Sequence, residues 1–135
     1  MTAPEVAVGA VAVADGAILL VRRGRGPAAG EWSVPGGRVQ LGETLHEAVV
    51  REVAEETGLE VVVARFLGWV ERIGDEPEPY HYVILDFVVD CLDPTAQPTA
   101  GDDAAEVEWV PVTELSERRL VGGLEDFLEQ FGVLG

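Results

Sequence analysis

The stretch GRVQLGETLHEAVVREVAEETGL, residues 37–59, decides the fold of this chain. Its second half carries three glutamates, Glu52, Glu55 and Glu56. On an α-helix, Glu55 and Glu56 lie about 60° and 40° to either side of Glu52, so the carboxylates share one narrow stripe. Like charges at this spacing repel each other, and clustered carboxylate oxygens are ligands that Mg²⁺ and Mn²⁺ prefer. The pattern predicts a metal-binding helix, with a solvated acidic face as the alternative.

The residues around the glutamates predict where this helix begins, ends and packs. Thr44 can cap its start, with Glu47 closing a capping box, and Gly58 can adopt the left-handed conformation past its end. Arg51 offers a cation beside Glu52 that can hold a carboxylate in one orientation. The core-facing stripe is predicted to lie roughly opposite the glutamates and to consist of Val50, Val53, Ala54 and Thr57.

The same stretch resembles the Nudix box, the signature of Nudix hydrolases, which is written G-x5-E-x7-R-E-U-x-E-E-x-G-U with U apolar. Every specified position is matched, so the resemblance is specific, although it covers only the central sixth of the chain. The matching residues are Gly37, Glu43, Arg51, Glu52, Val53, Glu55, Glu56, Gly58 and Leu59.

The resemblance implies roles for the residues of the box. Glu52 and Glu56 are the expected metal ligands, and Glu55 either bridges metal ions or takes the proton from the attacking water. The backbone carbonyl of Gly37 is a further expected ligand, and Arg51 is expected to orient a catalytic glutamate. The implied cofactor is Mg²⁺, for which Mn²⁺ can substitute, because a metal ion neutralises phosphate charge and activates water.

Acidic residues outside the helix are additional candidates. Glu43 either supports the metal site and its loop or simply favours the helix start by its charge. Some family members use a later acidic residue as base or extra ligand, and here Asp102, Asp103 and Glu106 are the candidates. Asp103 is the preferred one, with a turn-forming aspartate pair as the alternative.

Arginines after the first hairpin are candidates for phosphate binding. Arg22 and Arg23 follow an apolar strand, so one should point to each side of the sheet. Family members often place a basic residue here against the substrate phosphates. Arg23 is therefore preferred over Arg22, with Arg25 and Arg38 in reserve and a solvated strand end as the alternative.

Aromatic residues are candidates for stacking on a nucleobase. Trp32 and Tyr80 are the main ones, with Tyr82 nearby, because an aromatic ring binds a planar group at little entropic cost. The alternative is that these rings belong to the core or to strand edges. His46 and His81 do not have the spacing of a metal-binding pair.

Length and composition predict one domain over residues 1–135, with 47% hydrophobic residues and a formal net charge of −16. Such a field repels nucleic acid polymers and anionic membranes, so neither is an expected partner. No apolar run approaches the length of a membrane span, and the N-terminus lacks the features of a signal peptide. The single cysteine, Cys91, fits a packed thiol in a reducing cytoplasm.

The order of predicted elements is α/β and resembles the Nudix fold, an α/β/α sandwich with a mixed β-sheet. A hairpin at Asp15-Gly16 is expected to join the first two strands, residues 24–30 are expected to form a loop, and the third strand is expected to end at residues 35–37. The predicted strands cover residues 6–13, 17–21, 32–34, 61–70, 82–91 and 106–110, and the predicted helices cover residues 44–57 and a segment from 120 or 123 to 131.

The implied substrate is a small nucleotide that contains a diphosphate. The flanks of the box are similar both to ADP-ribose pyrophosphatases and to MutT-type nucleoside triphosphate pyrophosphatases. A nucleoside diphosphate linked to a sugar or similar group is the favoured substrate, and nucleoside triphosphate hydrolysis is the alternative. An inactive nucleotide sensor is a third reading, although such domains usually have a degraded box. Many family members are homodimers, so the resemblance adds homodimerisation as an expectation.

Overall fold

The computed structural model describes residues 3–26 and 28–134, which form eight strands, two α-helices and a short 3-10 helix. The strands are β1 (Glu5–Val11), β2 (Val13–Ala14), β3 (Ala17–Arg23), β4 (Trp32–Ser33), β5 (Gly36–Arg38), β6 (Val61–Gly74), β7 (Tyr80–Cys91) and β8 (Ala104–Pro111). The helices are α1 (Leu45–Thr57), the 3-10 helix Val112–Glu117 and α2 (Leu124–Gln130).

The strands form two hydrogen-bonded groups. The first has the order β5-β1-β7-β6, in which β1 and β7 are parallel and the other pairs are antiparallel. The second joins β2, β3 and β4, with β8 pairing antiparallel to β3. The combination of parallel and antiparallel pairs confirms the predicted mixed α/β architecture.

The predicted first strand, residues 6–13, is divided between the two groups at Ala12. β1 ends at Val11 and pairs with β5 and β7, whereas β2 pairs with β3 across the Asp15-Gly16 turn. The hairpin therefore exists, but it involves only the last two residues of the predicted strand. The continuous apolar run did not indicate this division, because both parts are extended and show the same two-residue alternation of side chains.

Helix α1 begins and ends where the sequence predicts. The Thr44 hydroxyl accepts from the Glu47 N–H, the Glu47 carboxylate accepts from the Thr44 N–H, and Gly58 has a φ of 73°. The predicted core-facing stripe is only half right, since Val50 is 38% exposed and Ala54 is also exposed. The buried positions are Ala48, Val49, Glu52, Val53, Glu56 and Thr57.

The orientation of α1 explains why only half of the predicted core-facing stripe is buried. The helix packs against β5 and β1 with the side that carries two of its glutamates, so part of the acidic stripe is turned inward. Hydrophobic periodicity assumes that charged residues face water. At Glu52 and Glu56 that assumption is wrong, so the buried side of the helix is rotated toward these glutamates.

Other boundaries differ from expectation by short distances. Gly36–Arg38 is strand β5 and pairs with β1, although the third predicted strand was expected to end at residues 35–37. Strand β6 continues to Gly74, and β7 begins at Tyr80, because the two pair over their full length with two register shifts. The 3-10 helix was not predicted. The predicted loop at residues 24–30 includes Pro27, which lies outside the described residues.

Two buried clusters lie on opposite sides of the sheet. One joins α1 to β1 and β7 through residues such as Val53, Val8 and Phe87. The other joins α2 and the 3-10 helix to β3 through residues such as Leu128 and Leu20. Within the described residues, no helix is long and apolar enough to cross a membrane.

Candidate active site

Three carboxylates converge beside the edge strand β5. Glu52 and Glu55 come from the last turns of α1, and Asp102 comes from the loop between β7 and β8. One carboxylate oxygen from each lies within 4.8 Å of the other two. An all-oxygen set of this kind fits a hard divalent cation better than a softer transition metal.

Arg51 binds two of these carboxylates and a third acid. Its Nη1 donates to Glu52 Oε1 at 2.7 Å and to Glu55 Oε1 at 3.2 Å, while its Nε donates to Glu43 Oε2 at 2.6 Å. Its Nη2 also donates to the carbonyl of Arg38 on β5. The Glu43 hydrogen bond is the main reason why the pKa of Arg51 is raised, and the same bond lowers the pKa of Glu43. Arg51 therefore fixes the orientation of the acidic residues and ties α1 to β5.

Glu56 is held separately, by the backbone. The Gly36 N–H donates to Glu56 Oε1 at 2.7 Å, and the residue is only 7% exposed. Burial raises the pKa of Glu56 to about 7, although the Gly36 hydrogen bond and the positive charge of Arg23 oppose the shift. Burial also raises the pKa of Glu52, against the effect of Arg51. Both carboxylates are thus placed where a cation would be strongly favoured.

Gly37 allows β5 to approach the acidic residues closely. A Cβ at this position would lie 2.5 Å from the Glu52 carboxyl carbon, so no larger residue fits without displacing that carboxylate. At Gly36, a Cβ would overlap the Val8 carbonyl oxygen on β1. The paired glycines therefore let the backbone of β5 lie directly against Glu52 and Glu56, next to where a metal ion would bind.

A cavity of about 1150 Å³ extends from these carboxylates across the sheet. Its acidic end is formed by α1, β5 and Asp102. Its far end is formed by β6, β7 and α2, with Val70, Ile84 and Phe127 on the wall. A volume of this size accommodates a nucleotide-sized ligand.

The two candidate arginines separate as alternation predicts. Arg23 lines the cavity, and its buried Nε has no hydrogen-bond partner among the described residues. Arg22 is not on the cavity wall, and its Nη2 donates to Glu106 Oε1 at 2.7 Å. The expectation for Arg22 as a substrate contact is therefore not supported by its position. The reserve candidates, Arg25 and Arg38, both line the cavity.

The aromatic candidates also separate. Tyr80 lines the cavity, and its ring lies 5.8 Å from that of Tyr82, which lines it as well. Trp32 is 8% exposed and belongs to the core beneath α2, with the Arg118 guanidinium 5.8 Å from its ring centre. Trp32 is thus a core residue outside the cavity wall, because its strand β4 faces the apolar interior.

The loop acids are arranged differently from the sequence preference. Asp102 belongs to the acidic cluster, whereas Asp103 forms an ion pair with Arg25 and Glu106 pairs with Arg22. The preceding Gly101 N–H donates to the Glu56 carbonyl at 3.0 Å, which fixes this loop on the end of α1. The Gly101-Asp102 pair was the available signal in the sequence, because glycine and aspartate favour turns. In the structure, Asp102 occupies the turn with a φ of 51°.

Sequence reasoning missed one cavity residue altogether. Asp86 lies in the middle of β7, is 5% exposed and lines the cavity. A single aspartate within the apolar run VILDFVV was the available signal, because such a strand has no other reason to contain a charge.

Comparisons with known proteins agree with this geometry. The ADP-ribose pyrophosphatase of Methanocaldococcus jannaschii is 39% identical over 112 residues, which are 83% of this chain and 64% of that protein. The nucleoside triphosphatase NudI of Salmonella schwarzengrund is 30% identical over 76% of this chain and 78% of its own length. The crystal structure of a MutT NUDIX hydrolase from Burkholderia pseudomallei superposes with a TM-score of 0.80 at 30% identity, covering 95% of this chain and 98% of that one.

The chain thus spans somewhat less than two thirds of the length of the archaeal relative and nearly all of the bacterial structure. The sequence model of the NUDIX domain matches residues 3–131, almost the whole chain. The matched region includes both the helix that carries the glutamates and the cavity beside it. This protein therefore belongs to the NUDIX domain family.

Proposed function

We propose that this protein is a Mg²⁺-dependent hydrolase that cleaves the diphosphate of a nucleoside diphosphate linked to another moiety, with an ADP-ribose-like substrate favoured. The observation that carries the proposal is the convergence of Glu52, Glu55 and Asp102 at one end of a nucleotide-sized cavity. The family and the archaeal relative support the same reaction class.

The residues that would hold the metal are Glu52, Glu55, Glu56 and Asp102, together with the Gly37 carbonyl. Glu56 uses Oε1 to accept the Gly36 N–H, which leaves Oε2 for a cation. When bound, Mg²⁺ neutralises the diphosphate and lowers the pKa of bound water, and Mn²⁺ can substitute for it. A net charge of −16 makes such neutralisation essential before an anionic substrate can bind.

Glu55 is the best general base among these residues. It is the most exposed glutamate of the cluster, and its Oε1 accepts from Arg51 Nη1 at 3.2 Å. The proposed step is attack of water on one phosphorus, transfer of the water proton to Glu55, and cleavage of the bridging P–O bond. The products are two phosphorylated compounds. Asp102 replaces Asp103 as the proposed loop acid, because Asp103 is already paired with Arg25.

Substrate contacts are proposed on the cavity wall. Arg23 is proposed to bind the phosphates, because its Nε has no hydrogen-bond partner among the described residues and its charge lies near Glu56. Tyr80, on the cavity wall, is proposed to stack on a planar group. Arg25 is a further phosphate contact if its pairing with Asp103 opens.

Nucleoside triphosphate hydrolysis is the second candidate. The NudI relative supports it, because that nucleoside triphosphatase is matched over more of its own length than the archaeal pyrophosphatase. The same catalytic cluster serves both reactions, and the difference lies in which groups the cavity accepts beyond the diphosphate.

A panel of diphosphate compounds with Mg²⁺, followed by product identification, tests the proposal. ADP-ribose that yields AMP and ribose phosphate supports the favoured substrate class. Pyrophosphate released from a nucleoside triphosphate moves the protein to the second class. Nucleotide binding without turnover of any compound overturns the hydrolase proposal and identifies an inactive sensor.

The metal site has its own test. Glu56→Gln should raise the Mg²⁺ concentration needed for half-maximal turnover, because it removes one anionic ligand. Mn²⁺ binding followed by electron paramagnetic resonance should weaken in parallel, independently of turnover. Glu60→Gln, an exposed residue beyond the helix end, is the matched control. An unchanged metal dependence in Glu56→Gln would remove Glu56 from the ligand set.

A further inference from the structure

Asp86 is a largely buried residue, and its carboxyl has no side-chain hydrogen-bond partner among the described residues. It lies between Gly9 on β1 and Gly68 on β6 and is 5% exposed. Among the described residues, no side-chain hydrogen bond and no ion pair engages its carboxyl group. Burying a carboxyl without a partner destabilises a fold, so its presence in an apolar strand calls for a functional reason.

The side chain of Asp86 extends over β1 into the cavity. A Cβ at Gly9 would overlap Asp86 Oδ1, so the carboxyl occupies the space that a larger residue would fill there. Gly9 is also the register partner of Gly36 on β5, whose N–H binds Glu56. The backbone of Asp86 is therefore two strand spacings, about 10 Å, from the strand that holds the acidic cluster.

The surroundings of Asp86 are apolar and wide. Ile84, Val70, Leu124 and Phe127 line the same end of the cavity. The Arg72 guanidinium is the nearby opposite charge, but its Nη2 donates to the Gly122 carbonyl. Apolar walls that carry a few polar groups, here the Asp86 carboxyl and Arg72, are typical of a site for a planar heteroaromatic ring. Burial raises the pKa of Asp86 to about 7, so the carboxyl can also be present as a hydrogen-bond donor.

We propose that Asp86 binds the nucleobase of the substrate by accepting a hydrogen bond from an exocyclic amino group. This inference rests on the proposed function, because it places the diphosphate at the acidic cluster and the base beside Asp86 in the same cavity. A carboxyl keeps an acceptor oxygen in either protonation state. Its protonated form can also donate to the ring nitrogen beside the amino group, as adenine and cytosine require.

The test compares ADP-ribose with the same compound carrying unsubstituted purine, which has a hydrogen in place of the adenine amino group and keeps the same ring nitrogens. The wild-type protein should prefer ADP-ribose in kcat/KM, and Asp86→Ala should reduce this preference by roughly 10- to 100-fold. Asp86→Asn should retain it within about threefold, because the amide keeps an acceptor and gains a donor. Asp90→Asn, exposed on the same strand, is the matched control.

Equilibrium binding separates this inference from the proposed hydrolysis. AMP should bind more tightly to the wild-type protein than the corresponding monophosphate of unsubstituted purine riboside, and Asp86→Ala should abolish the difference, whether or not any diphosphate is cleaved. Turnover of ADP-ribose with equal kcat/KM for the two compounds would overturn the role of Asp86 and leave the proposed function intact. A preference that persists in Asp86→Ala would also overturn it, and would make Asp86 a structural residue only.

Discussion

Two acidic regions line the same cavity, and they differ in how their charges are compensated. At one end, Arg51 donates to Glu43, Glu52 and Glu55, and the Gly36 N–H donates to Glu56. In the second region, no side chain of the described residues hydrogen-bonds to the Asp86 carboxyl, and the nearby Arg72 charge only partly offsets the effect of burial on its pKa. The first, compensated region (Glu43, Arg51, Glu52, Glu55 and Glu56) holds several carboxylates in fixed orientations. The second, uncompensated region (Asp86 and its neighbours) leaves a single carboxyl available to a ligand.

Burial alone therefore does not determine which ligand an acidic side chain binds. Burial raises the pKa of both Glu56 and Asp86 to about 7. Glu56 nevertheless has a backbone donor, a nearby arginine and neighbouring carboxylates that together attract a cation. Asp86 has apolar neighbours, so a neutral organic group is the more compatible ligand.

The largest effect is expected from Glu55→Gln in the compensated region. Turnover should fall by about 10²- to 10⁴-fold, because the amide cannot accept the water proton. The fold should be retained, since glutamine keeps the length of the side chain and can still accept from Arg51. Steady-state kinetics and circular dichroism measure the two effects, with Glu60→Gln as the matched control. Near-native turnover would remove Glu55 from the role of general base.

In the uncompensated region, Asp86→Asn should stabilise the protein at neutral pH and above. The folded-state pKa of about 7 lies above the ordinary value of 3.8, so the folded state holds a proton that the unfolded state releases. Wild-type stability should therefore fall as the pH rises from about 4 to 7, by as much as about 4 kcal/mol from this group.

Urea denaturation at several pH values measures this effect. The difference between Asp86→Asn and the wild-type protein should be small near pH 4 and should grow up to pH 7. Glu56 contributes to both proteins and cancels in the difference. A difference that does not change with pH would show that Asp86 is ionised normally in the folded protein.

Arg51→Lys is expected to give an intermediate effect, by loosening the compensated region. Lysine cannot bridge three carboxylates and the Arg38 carbonyl at once, so the free energy of unfolding should fall by about 1–3 kcal/mol. Added Mg²⁺ should recover part of the loss, because it neutralises the same carboxylates. Thermal denaturation with and without Mg²⁺ measures both, and Arg65→Lys, exposed on β6, is the control. Equal losses in the two variants would contradict the bridging role.

The smallest effect is expected at the start of α1, which carries the compensated region. Thr44→Ala removes the hydroxyl that accepts the Glu47 N–H and should cost about 1 kcal/mol of stability. Chemical denaturation measures the loss, and Thr113→Ala at an exposed position is the matched control. No difference between the variants would show that the capping box contributes nothing to stability.

Much of the compensated region could be predicted from the sequence because its signals are local. Thr44, Glu47 and Gly58 define α1 through contacts within a few residues, and the fixed spacing of the glutamates follows from the helix. The separation of Arg22 from Arg23 also followed from a local rule, the alternation of side chains along a strand.

The uncompensated region could not be predicted because its contacts are distant in sequence. Asp86 meets Gly9 only after β1 and β7 pair in parallel, and that register has no local signature. The choice between Asp102 and Asp103 likewise depended on how the β7–β8 loop rests on the end of α1. Trp32 was misjudged for the same reason, since only tertiary packing decides which face of a short strand is covered.

The hydrogen bond from the Gly36 N–H to Glu56 has a consequence for spectroscopy. An amide proton that is shared with a carboxylate at 2.7 Å should resonate well downfield in a proton–nitrogen spectrum and should exchange slowly with deuterium. Its chemical shift depends on the charge of Glu56, so one backbone signal reports proton or cation binding at that carboxylate. The Gly36 amide signal can therefore be followed in a titration without a chemical label at the site and without any substrate.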